Sequence, residues 1–136
     1  MKTSTPKQTA YALLRITMGV NFFAHGLVRI PKLNGFRNWM VNTFENSLLP
    51  NWSVYAWGSI LPFVELAIGI LLIVGYKTYQ TTIAGALVII TLILGSCLIE
   101  NWDWAATQML YSIFFYFLIS NIEQNYFALD HIKIRV

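Results

Sequence analysis

The chain has 136 residues, of which 57% are hydrophobic and only 11% charged, with a formal net charge of +3. An average soluble domain carries roughly 25% charged residues, so this composition argues against a water-soluble globule and points to the lipid bilayer as the chain's main partner. The nine Lys and Arg are dispersed and form no tract able to grip phosphates, which sets nucleic acid aside.

A hydrocarbon layer about 30 Å thick takes roughly 20 helical residues at about 1.5 Å each. On that measure four spans are expected, at 10–30, 53–75, 82–99 and 104–122. The first is interrupted by Arg15 and His25. Because Arg15 breaks its apolar run and no small-residue cleavage pattern follows, it is expected to remain in the protein and not to leave as a signal peptide.

Between the first two spans, "LNGFRNWMVNTFENSLLPNW" sets Phe36, Trp39, Met40 and Phe44 near one helical face, with Arg37, Asn38 and Glu45 largely elsewhere. This predicts an amphipathic interfacial segment over about 33–46, either a lid on the bundle mouth or a helix resting in the headgroups. The second span places Glu65 ahead of "LAIGILLIVG", and Pro62 either kinks its start or sits in its first turn. The third and fourth spans hold no charged residue. The expected fold class is all-α: one domain, an integral membrane four-helix bundle with the interfacial segment added.

Lys2, Lys7, Lys77, Lys133 and Arg135 fall on one side of an even set of helices, and Lys32 and Arg37 on the other, with Arg29 at the boundary. Cytoplasmic loops carry the excess of basic residues, so both termini are expected in the cytoplasm, with the chain in the inner membrane. Five Trp, seven Tyr and nine Phe, many near the ends of apolar runs, suit the headgroup region.

Ionisable groups within a span must face the bundle interior, pair, or snorkel outward. Arg29, at the end of its run, and Arg15, about five residues inside the other end, both have long stems and a route to water. Glu65 lies roughly 12 Å below the outer boundary and His25 roughly 7 to 8 Å below the end of the first span. Antiparallel neighbours would hold them at similar depth. Arg15, Gly19, Phe22, Gly26 and Arg29 share one broad helical face, with His25 at its edge. A cluster of His25, Arg29 and Glu65 toward the outer leaflet follows. It has two readings: a polar clamp that fixes two helices, or an imidazole and carboxylate that exchange protons with a quinone oxygen.

Other chemistries lack their residues. Cys97 is the only cysteine, so no internal disulfide or CxxC pair can form. His25 is the only histidine in a span and His131 lies beyond the last, so one chain cannot offer two intramembrane histidines to a haem, and a metal cage is equally poorly supplied. No phosphate loop, dinucleotide fingerprint or hydrolase elbow is present. Gln108, Ser112 and Asn121 on the fourth span are able to hydrogen-bond a ligand or a neighbouring helix.

The order Arg15, Gly19, Phe23, Gly26, Arg29 in "LLRITMGVNFFAHGLVRI", then "PFVELAIGILLIVG" with Glu65, Gly69 and Gly75, resembles the DoxX family of small four-helix membrane proteins. The late "FALD", ending at Asp130, is similar to the motif that often closes such chains. Arg29 stands where lysine is common in the family, a swap that keeps charge but not geometry. The resemblance implies association with membrane redox systems, including thiosulfate:quinone oxidoreductase, terminal quinol oxidase and oxidative-stress complexes. A quinone is the ligand it implies, and another membrane or redox protein, or a second copy of the chain, the partner. It points to Arg15, Arg29 and Glu65 as the polar positions to test. His25 and, secondarily, Gln108 are added on physical grounds. A non-enzymatic assembly or scaffold subunit of a larger envelope complex is the alternative function.

Overall fold

The computed structural model describes residues 4–133. Lys2 and Arg135 lie outside the described residues, as does the side chain of Lys133. Helices form α1 (Pro6–Arg29), α2 (Leu33–Thr43), α3 (Asn51–Val74), α4 (Thr78–Leu98), α5 (Trp102–Ser120) and the short α6 (Leu129–Lys133), with 3-10 turns at Ile30–Lys32 and Ile122–Gln124. The described residues contain no strand.

Local chemistry explains the boundaries. Thr5 caps α1 by a reciprocal pair: its hydroxyl accepts from the Gln8 amide, and its own amide donates to the Gln8 side chain. Pro6 then occupies the first turn, where its missing N–H costs nothing. Pro31 lies in the 3-10 turn that follows α1, and α3 stops at Gly75, whose φ of 69° is left-handed. Pro62 lies well inside α3, which begins at Asn51.

The long helices alternate in direction, with α1 against α3 and α4 against α5 as the closest pairs, joined through α3–α4 and α1–α5 contacts. The α1–α3 pair approaches closely because glycine leaves room for it. A Cβ on Gly26 would lie 2.5 Å from the Pro62 carbonyl oxygen, and one on Gly69 would collide with the backbone of Phe23. Between the pairs lies a core of Met18, Phe22, Leu61, Ile68, Leu72, Ile89, Phe115 and Leu118. Phe22 and Phe115 meet there edge to face at 5.6 Å.

Among the described residues, α3 and α4 are the two helices long and apolar enough to cross a membrane. The four expected spans thus find four long helices, but two are more polar than that standard. α1 carries Arg15, Asn21, His25 and Arg29, and α5 opens on Trp102–Asp103–Trp104 and carries Gln108 and Tyr111. Outward faces on all four nevertheless hold large exposed apolar side chains, among them Leu27, Phe63, Ile90 and Ile113.

Candidate functional site

At the end where α1 finishes and α3 begins, Arg29 donates from Nη1 to Glu65 Oε2 at 2.6 Å. Arg29 does not run straight to water as its position in the sequence suggests. Its side chain is 24% exposed, that of Glu65 is 5% exposed, and the guanidinium lies 4.7 Å over the Phe36 ring. A carboxylate this far inside α3 needs a compensating charge, and Arg29 is the cation within its reach.

The pair stands in the wall of a cavity of about 540 Å³. Residues from α1 through α5 line it: Phe22, Trp57 and Leu61 give it apolar walls, and His25, Gln108 and Tyr111 give it polar points. From α2 and the residue that ends it, the amphipathic face read in the sequence contributes Phe36, Trp39, Met40 and Phe44 to the same lining. Trp39 stacks on Phe36 at 5.9 Å and reaches Trp104 of α5 at 5.9 Å, so α2 bridges from one helix pair to the other. A mostly apolar hollow with a few convergent polar groups is the usual form of a small-molecule site.

His25 shares this cavity with Glu65, but its hydrogen bond is to its own helix. Nδ1 lies 2.7 Å from the Asn21 carbonyl oxygen, which can only accept, so Nδ1 carries the proton. Gln108 faces the cavity from α5, and its Oε1 accepts the Ser96 hydroxyl across the α4–α5 contact at 3.0 Å. The structure therefore brings Arg29 and Glu65 into contact and places His25 and Gln108 on the same lining.

Arg15 lies elsewhere, toward the opposite end of α1, and is 1% exposed. It does not snorkel. Nη1 donates to the carbonyls of Leu72 (2.6 Å) and Ile73 (3.3 Å), and Nη2 to that of Phe127 (2.5 Å). The last carbonyls of α3 have no partner within the helix and carry the negative end of its dipole, so a planar cation with several donors is held there more favourably than in headgroups.

Sequence reasoning assigned no role to Asp130, which completes this end. Its carboxylate accepts from the amides of Lys77 (2.6 Å) and Thr78 (2.7 Å), and its own amide donates to the Gly75 carbonyl. Asn125 donates to the Thr78 hydroxyl at 2.9 Å. Burial disfavours the Asp130 anion, but the Thr78 and Lys77 hydrogen bonds and the Arg15 charge outweigh it and hold the carboxyl below its usual range. The signal in the sequence was the late "FALD", read there only as a closing motif; its need is structural, since α4 starts after Lys77, in left-handed geometry at φ 46°, with no side-chain cap of its own on its first amides.

The described residues contain no cluster of His, Cys, Asp and Glu able to hold a metal ion. The family model described as DoxX matches residues 10–99, the stretch that holds Arg15, His25, Arg29 and Glu65. No curated protein and no solved structure matches the chain.

Proposed function

From the premise that this chain belongs to the DoxX family, we propose that it is a multi-pass subunit of the cytoplasmic membrane that binds a quinone and serves a quinone-linked redox partner. In this reading α1, α3, α4 and α5 all span the bilayer as a four-helix bundle, and both termini face the cytoplasm. Within the apolar run of α1, Arg15 and His25 are turned inward and Arg29 is paired, while the outer face is apolar, which suits a helix in lipid despite its polarity. Lys7 and Lys77 stand at the end assigned to the cytoplasm.

The observation that carries the proposal is the cavity. Its aromatic and aliphatic walls suit a flat ring, and His25, Arg29, Glu65 and Gln108 supply hydrogen-bonding groups for ring oxygens. A bound quinone would supply redox chemistry that moves electrons and protons together. The chain's own part is to seat the ring, exclude water with α2, and present groups able to hold or pass a proton: the Glu65 carboxylate, steadied by Arg29, and the His25 imidazole.

The test is titration of the purified protein in lipid nanodiscs with a short-chain quinone, following fluorescence of Trp39, Trp57 and Trp104, all in the cavity lining. Saturable quenching that Trp57→Phe reduces, and Leu61→Trp blocks by filling the hollow, supports the reading. No saturable quenching, together with a stable co-purifying membrane partner, would favour the assembly-subunit alternative.

A further inference from the structure

One edge of α2 is fixed and the other is not. On the fixed edge, Met40 lies directly on α3: a Cβ on Gly58 would stand 3.0 Å from its sulfur. Arg37 donates from Nη1 to the Ser59 hydroxyl at 3.4 Å, and its guanidinium lies 4.7 Å over the Tyr55 ring. Phe36 lies beneath the Arg29 guanidinium, and Phe44 is buried in a small core with Met40 and Val54. These contacts hold the helix along its length, so α2 is a shelf across the end of the bundle and not a flap that swings as a whole.

The free edge carries Trp39. Its ring stacks on Phe36 and reaches Trp104 of α5, tilted at 45° with centroids 5.9 Å apart. Trp39 and Trp104 are 48% and 39% exposed, yet both line the cavity. Each ring thus has one side on the outer surface and one on the hollow. Side chains this exposed change rotamer far faster than a helix moves. We infer that the Trp39–Trp104 ring pair is a side-chain gate: closed, it seals the cavity between α2 and α5, and rotation of either ring opens it while α2 stays in place. This deepens the reading of the cavity as a site, whatever ring it holds.

The gate is tested without any ligand, by the rate at which a charged, water-soluble methanethiosulfonate modifies a single cysteine in nanodiscs. In a Cys97→Ser background, Leu61→Cys reports on the cavity wall, and Ile68→Cys, in the core outside the cavity, reports on general loosening. Trp39→Ala and Trp104→Ala are each expected to speed modification at Leu61→Cys about fivefold or more, the loss of an aromatic contact, and to leave Ile68→Cys unchanged. The two together are expected to stay within about twofold of the faster single variant, since one gate cannot be opened twice. Unchanged rates at Leu61→Cys, or equal rises at both reporters, overturn the inference. Trp39→Phe and Trp104→Phe keep a smaller ring at each position; intermediate rates support the gate and unchanged rates overturn it even where an alanine variant fails to fold. Loss of the gate leaves the quinone titration standing, and failure of that titration leaves the gate.

Discussion

Arg29 and Glu65, separated by 35 intervening residues, meet at 2.6 Å and tie the end of α1 to the middle of α3 beside the cavity. Glu65 is nearly enclosed, so either charge left alone is costly. Replacing Arg29 by Leu is expected to lower stability by about 3–5 kcal/mol, and Arg29→Leu with Glu65→Leu together by less than Arg29→Leu alone. Thermal unfolding of the single and double variants in one detergent checks this. A double variant less stable than Arg29→Leu would contradict it.

The close crossing of α1 and α3 predicts a sharp contrast between glycines. Gly69→Ala forces a methyl group onto the Phe23 backbone and is expected to destabilise by about 1–3 kcal/mol. Gly35→Ala, at an exposed position of α2 with nothing within 4 Å of the added carbon, is expected to stabilise by up to about 1 kcal/mol through helix propensity. Equal melting shifts for the two would show that the crossing is looser than described.

Arg15 holds carbonyls of two segments at once, so its guanidinium fork matters more than its charge. Arg15→Lys is expected to cost roughly 1–3 kcal/mol, because one ammonium on a thinner stem does not replace both nitrogens. Faster amide exchange at residues 125–131 in Arg15→Lys is the signature that would separate loss of this tether from general weakening.

Asp130 supplies the pH dependence. Its folded carboxyl is held below the usual range, so its stabilisation is fully present above the unfolded carboxylate value and is lost as pH falls through the lower folded value. Asp130→Asn, which keeps one acceptor oxygen for the Lys77 and Thr78 amides where the carboxylate has two and so weakens the cap by about 1 kcal/mol at neutral pH, is expected to show a flatter decline in melting temperature across that acidic window than the unaltered protein. Parallel acid profiles for the two would exclude Asp130 as a source of the dependence.

The sequence by itself determined the helices and the character of their faces, because apolar length, caps and breakers act within one segment. Thr5 with Gln8, Gly75, and the amphipathic face of α2 are all readable locally, and of the face shared by Arg15, Gly19, Phe22, Gly26 and Arg29 the first four are buried and Arg29 is partly so. The candidate residues were legible for the same reason: each is a polar group in an apolar run. Their partners were not. Whether Arg29 reaches water or Glu65, whether Arg15 snorkels or binds the end of α3, and that Asp130 caps a helix 52 residues earlier depend on which helix ends meet. Those meetings are set by backbone approach at Gly26 and Gly69 and by the crossing of five helices around one cavity. Tertiary structure alone decided them, since a side chain's hydrogen-bond partners are a property of the space around it and not of its neighbours along the chain.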